Sequence, residues 1–284
     1  MSAAATAMGR ANRWRYTRPV MNASQPSQGS PALPVVRPVE LAAPVDWLRR
    51  GYADLMAAPG ASVFHGFLLA LGGLVLLTLG LRVWPLLPGA LSGFLLIAPI
   101  LATGLYELSR RREQGEKPRL SHVFLAWQRG TRPLIALGVV LFLAASAWVA
   151  VSALLFGLFV RVPIDSPAAF LRFAVAGQGD LLFWLWLLAG ALGAALVFAV
   201  TAVSAPLLLD RDIGLRDAIL TSVRAVGDNP GPMAAWAAII MLATVASMAT
   251  MMMGFMFSVP LIGHATWHAY RDLIDASAWP SRRP

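Results

Sequence analysis

Long apolar stretches without Asp, Glu, Lys or Arg dominate the chain. They run over 55–81, 83–106, 133–160, 181–209 and 229–270. An uncharged apolar run of about 18 or more residues can cross the hydrocarbon core of a bilayer as one helix. The first four predict spans at about 60–82, 87–107, 133–160 and 181–207. The last would reach ~63 Å as a straight helix at ~1.5 Å per residue, against a core of ~30 Å. It predicts two spans, about 231–253 and 256–274, turning near Gly254. The alternative, one long tilted helix, gives five spans.

A second period lies between the runs. Before the first, third and fifth spans, apolar residues recur at helical spacing: Val45, Leu48, Tyr52 and Leu55; Leu120, Val123, Phe124 and Trp127; Leu215, Ile219, Val223 and Val226. Each set predicts an amphipathic helix at the membrane surface. Each ends at Pro or Gly: Pro59, Gly130 with Pro133, and Gly227 with Pro230. The returning spans each carry one proline, Pro99, Pro206 and Pro260. Aligned on Pro99 and Pro260, Tyr106 matches Trp267 and Glu107 matches His268. The expected fold is an all-α membrane protein: six transmembrane helices in three units, each an interfacial helix plus a hairpin. Its expected divisions are a disordered basic tail at 1–39, a six-span membrane domain at 40–275 and a short C-terminal tail at 276–284.

Composition agrees. The chain is 58% hydrophobic and 13% charged, against about 25% charged in soluble proteins, which excludes a soluble enzyme. There is no cysteine, so disulfides, thiolate metal sites and a cysteine nucleophile are excluded. The net charge of +9 lies beside apolar spans, which points to anionic lipid head groups and not to nucleic acid. Basic residues concentrate in cytoplasmic loops. With six spans and the N-terminus inside, 1–59, 107–132, 208–230 and the tail from Arg271 hold seven, seven, three and three of the 23. Arg82, Arg161 and Arg172 remain outside, so both termini are expected to be cytoplasmic.

Few residues suggest chemistry. His264 and His268 are four apart and share a helix face, where two imidazoles can ligate a metal or haem; Glu107 is the further ligand candidate by the repeat alignment. The same histidines, with Trp267 and Tyr270, would equally form an aromatic belt at the membrane interface. Met248, Met252 and Met256 recur every four residues. Such a stripe offers thioethers to Cu(I) or fills helix contacts. His65 is the titratable side chain expected inside a span, a proton-relay candidate. Asp210, Arg211 and Asp212 fall at a span end, where acids and bases lock a loop. Gly89 with Gly93, and Ala189, Gly190, Gly193 and Ala194, are spaced for close helix approach. The nucleotide-binding, serine-hydrolase and zinc-protease motifs are absent from the sequence.

Several separated motifs occur together: Gly104-Leu105-Tyr106-Glu107-Leu108-Ser109-Arg110-Arg111, Leu209-Asp210-Arg211-Asp212, Ser222-Val223-Arg224-Ala225-Val226, Asn229-Pro230-Gly231-Pro232-Met233, and Gly263 through Asp272. In these the chain resembles, over about 40–275, the bacterial integral-membrane family called domain of unknown function 2189. Pro99, Pro206, Pro260, Asp210, Arg211, Trp267 and Arg271 form the expected structural signature. The resemblance implies a multi-pass protein of the bacterial inner membrane and no particular reaction. Some family members carry a cytochrome c oxidase label, but this sequence lacks the set of intramembrane histidines that a haem–copper centre would require. The expected function is a non-enzymatic assembly or scaffold role for a membrane complex, with the bilayer and a membrane protein or second copy as partners and no resident cofactor. Two alternatives stay open: a small-solute carrier or channel, and a haem- or copper-binding accessory protein.

Overall fold

The computed structural model describes residues 32–80, 83, 87–96, 98–128, 131–159 and 181–282. Most of the expected N-terminal tail, and Pro85 and Gly130 of the expected turns, lie outside the described residues. The helices are α1 (Ala43–Ala57), α2 (Pro59–Gly80), α3 (Leu87–Leu96), α4 (Ala98–Leu101), α5 (Thr103–Glu113), α6 (Leu120–Gln128), α7 (Arg132–Phe159), α8 (Leu181–Thr201), α9 (Ser204–Asp210), α10 (Leu215–Asp228), α11 (Pro230–Ala249) and α12 (Phe255–Leu273). Two short strands, β1 (Val35–Val36) and β2 (Ile274–Asp275), pair antiparallel.

Among the described residues, four stretches are long and apolar enough to cross a membrane: Pro59–Leu79, Arg132–Leu155, Leu181–Asp210 and Pro230–Ala249. A fifth, Gly89–Leu96 with Ala98–Glu113, is bent by 42°. All five coincide with expected spans to within a few residues. The expected sixth span is a helix too, but α12 is not in that class. Its C-terminal half carries His264, Thr266, His268, Arg271 and Asp272. It packs against α1, α2 and α5, with α11 beside it. Neighbouring helices cover most of its C-terminal half, so the polar groups there are shielded, while Phe257 near its start stays exposed.

The prolines interrupt two of the returning segments. A proline removes one backbone donor and crowds the carbonyl four residues earlier. Before Pro206 the helix breaks at Ala202 and Val203. Ser222 of α10 repairs the break: its hydroxyl accepts the Val203 N–H at 3.2 Å and donates to the Ala199 carbonyl at 2.7 Å. Pro99 lies in the short α4, whereas Pro260 sits inside an unbroken α12.

Three sequence expectations change. The buried face of α1 is Trp47, Gly51, Asp54 and Leu55, while Val45 and Tyr52 of the expected apolar face are exposed. Second, Met248, Met252 and Met256 do not share a helix. Met248 ends α11, Met252 lies in the connecting turn at φ 69°, and Met256 opens α12. They meet around Ala70 and Phe255 as packing. Third, residues 35–39 of the expected tail are tied down, with the Arg37 N–H on the Leu273 carbonyl at 2.8 Å and the Val39 N–H on Asn229 Oδ1 at 2.9 Å. The C-terminal segment also folds back, Asp212 donating to the Pro280 carbonyl and Arg282 to that of Asp210.

Glycine allows the central helix its neighbours. A Cβ on Gly51 of α1 would lie 2.7 Å from the Ala265 nitrogen of α12. One on Gly66 of α2 would overlap the Met256 carbonyl. Gly60, in the same helix as Gly66, faces open space. Gly66→Ala is expected to lower stability in mild detergent by about 1–3 kcal/mol, the cost of forcing packed elements apart. Gly60→Ala should leave it unchanged or raise it by up to about 1 kcal/mol. Thermal unfolding of both variants followed by helical circular dichroism measures the difference.

Candidate functional site

The polar chemistry of the described chain gathers where α12 meets α1, α2, α5 and α9. Asp54, near the end of α1, is 4% exposed. It forms an ion pair with Arg112 of α5 and accepts a hydrogen bond from His268 of α12, with Nε2 at 3.0 Å. Burial pushes its carboxyl up, but hydrogen bonds from His268, Ser109 and Arg112 outweigh that and hold it below the usual carboxylate value.

His264 lies one turn deeper and is fully buried. Its Nε2 is 2.9 Å from Ser62 Oγ and its Nδ1 is 2.8 Å from Ser109 Oγ. A neutral imidazole has one donor and one acceptor nitrogen, so one serine donates and the other accepts. The result is a continuous polar line: Ser62, His264, Ser109, Asp54, then His268 and Arg112. His65 sits beside it, with Nδ1 3.2 Å from the Ala61 carbonyl and its ring 5.2 Å from that of Trp127. Gly104 leaves the room that the His65 ring occupies.

A second knot centres on Glu107. Arg110 grips it with two hydrogen bonds of 2.8 and 3.0 Å, and Arg111 adds one of 2.7 Å. Arg111 continues to Glu116 at 2.7 Å, and Arg110 donates to the Arg282 carbonyl of the C-terminal segment. A third centres on Asp210, which accepts from Tyr270 Oη at 2.8 Å and Arg211 Nε at 3.0 Å. Glu113 takes the Trp267 indole at 3.1 Å and Arg271 Nε at 3.0 Å. Asp272 takes the Trp47 indole at 2.9 Å and pairs with Arg50.

The sequence-derived candidates are therefore partly brought together. Asp210, Arg211, Trp267 and Arg271 share one network. His264 and His268 occupy adjoining contacts along one face of α12. Glu107 engages arginines and not these imidazoles. Among the described residues, no group of three His, Asp or Glu side chains converges in a metal-holding arrangement. Both ring nitrogens of His264 face serine hydroxyls. Sequence reasoning missed Asp54, Ser62, Ser109, Glu113 and Asp272 as partners. Asp54 had one visible signal, as the last charge before the first apolar run. The serines had none, because a small hydroxyl in an apolar segment is common.

Removing one partner of a buried ion pair strands the other. Asp54→Asn is expected to cost about 2 kcal/mol, below the full buried-pair value because Arg112 is partly exposed. The sign of the pH effect follows from the lowered carboxyl. Its stabilisation is present above about pH 4, the unfolded value, and is lost as pH falls through the lower folded value. The melting temperature of the unaltered protein should therefore fall more steeply below pH 4 than that of the Asn variant.

No curated protein and no solved structure matches the chain. A family model described as "Predicted integral membrane protein (DUF2189)" matches residues 86–210. That segment runs from the second apolar run through Asp210 and contains Glu107, Ser109 and the Arg110-Arg111-Arg112 cluster. It is narrower than the 40–275 over which the motifs resemble the family. Over residues 86–210 the chain is thus similar to a family of predicted integral membrane proteins.

Proposed function

We propose that the chain is a non-enzymatic, six-span protein of the bacterial inner membrane that helps assemble or hold a membrane complex. The observation that carries this reading is where the ionisable groups are spent. Asp54, Glu107, Asp210, Asp272 and Glu113 all bind side chains of the same bundle. Such contacts build a rigid end on the bundle. The outer surface of the apolar helices, in contrast, is left open: only Phe183 and Thr201 of α8 are buried. Leu181, Leu185, Leu188 and Leu192 project from it, beside the small residue Ala189. A bare helix with a small residue there suits a membrane-protein partner or a second copy.

The three-unit organisation is part of the proposal. Each amphipathic helix packs against the returning helix of the unit before it: α6 on α5, α10 on α9 and α8, and α1 on α12. The last contact closes a ring, which supports three equivalent units. Exposed Val45, Tyr52 and Met56 on α1, and Phe124 and Trp127 on α6, would dip into the lipid interface, with arginines on the cytoplasmic side. In this reading the chain uses no haem or copper. A carrier for hydrophilic solutes is less well supported, because the cavity beside α8 and α11 is lined mostly by apolar residues.

Two measurements test the reading. The chain has no native cysteine, so single replacements report topology cleanly. Under the six-span arrangement Met253→Cys should react with an impermeant maleimide from outside the cell, and Gln114→Cys only in inverted vesicles. Reaction of both from one side contradicts the topology. Affinity purification from native membranes in a mild detergent should recover a stoichiometric membrane-protein partner or a second copy, with Leu188→Cys crosslinked at the contact. A monomer with no partner and no crosslink contradicts the assembly role.

A further inference from the structure

A cavity of about 830 Å³ opens between α3, α7, α8, α11 and α12. Leu187, Leu196 and Met241 both line it and are exposed, so it opens sideways beside α8 and α11. The other outward helices close against returning ones, α2 on α12 and α7 on α3. The equivalent pair, α11 and α8, does not close, and the cavity lies between them.

Three tryptophans line this space. Two have matched indole N–H groups: Trp148 donates to Ser92 Oγ at 2.7 Å and Trp186 to Ser152 Oγ at 2.9 Å. Trp236 does not. It is 1% exposed, and its Nε1–H has no partner among the described residues. Its ring stands edge-on to Trp47, centroids 5.6 Å apart, and the Trp47 N–H is committed to Asp272. Buried polar groups without partners are rare and costly. A bridging water needs two to four polar neighbours, which this lining supplies poorly. Trp236 lies about six residues, ~9 Å, into α11 from its polar start. An acceptor carried in by an occupant of the cavity would satisfy this N–H.

We propose that this cavity binds a long-chain amphiphile, its apolar chain filling the space and its carbonyl oxygen accepting the Trp236 indole N–H. Two sources share that chemistry, an acyl-ester phospholipid and a quinone with an aliphatic tail. The volume falls within the range of about 300–1,000 Å³ usual for small-molecule sites. The proposal is independent of the assembly role.

Native mass spectrometry of the full-length protein in detergent tests it, with phosphatidylglycerol and a decyl-substituted benzoquinone titrated separately. One saturable molecule per chain is expected with at least one probe. Binding of the phospholipid alone identifies the acyl ester as the source, binding of the quinone alone identifies the quinone, and binding of both supports the shared carbonyl chemistry. Trp236→Phe keeps the ring and removes the N–H, and should weaken binding roughly three- to tenfold. Gly193→Leu fills the cavity from a position with open space around its Cβ, and should abolish saturable binding. Absence of saturable binding by either probe overturns the proposal. Unchanged affinity in Trp236→Phe overturns the carbonyl contact, and unchanged affinity in a folded Gly193→Leu overturns the location.

Discussion

A charged side chain at the edge of a hydrocarbon phase must find its partner within the protein, because neither lipid nor a close-packed core will solvate it. That constraint organises this bundle. Asp54, Glu107 and Asp210 are each less than a tenth exposed, and each is held by at least two side chains. Two of the three are bound to α12, through His268 and Tyr270. The helix carrying these polar groups could not face lipid over its whole length. It occupies the middle, with α1, α2 and α5 packed around it. Glycine at positions 51 and 66 brings the neighbouring backbones close enough for the hydrogen bonds to form.

Much of this order is legible in the sequence, and the failures share a cause. The five apolar helices follow from runs without charge, because hydrocarbon leaves little choice but a helix. Their observed ends at 59, 132, 181 and 230 lie within a residue or so of expectation. The break before Pro206 follows from the missing donor. What fails is anything decided by a tertiary partner. The buried face of α1 is selected by Asp272, Arg112 and His268, which meet Trp47, Arg50 and Asp54 only once the chain is folded. The regular spacing of Met248, Met252 and Met256 suggested a helix face, yet the chain reverses through it. Asp54 meets Arg112 and His268, 58 and 214 positions on, and nothing local hints at them, whereas Glu107 takes Arg110 and Arg111 at the helical i+3 and i+4 spacing visible in the sequence.

The same ring of contacts that steadies the polar end leaves the bundle unequal elsewhere. α2 and α7 close on returning helices, while α8 stands largely bare and a cavity separates it from α11. Polar contacts hold one region, and loosely packed apolar helices surround another. That division suits a protein that keeps its own frame rigid while offering an apolar flank and a recess to other molecules.

The most direct test of the central claim is a double-mutant cycle between Asp210 and Tyr270, which join α9 to α12 across a buried contact of 2.8 Å. Unfolding free energies of Asp210→Ala, Tyr270→Phe and the double variant, measured in the same detergent, give the coupling. If buried polar contacts anchor the central helix, the coupling should be about 1–3 kcal/mol, as for a hydrogen bond to a charged group. Effects that add to within about 0.5 kcal/mol would contradict the account and leave apolar packing as what holds α12 in place.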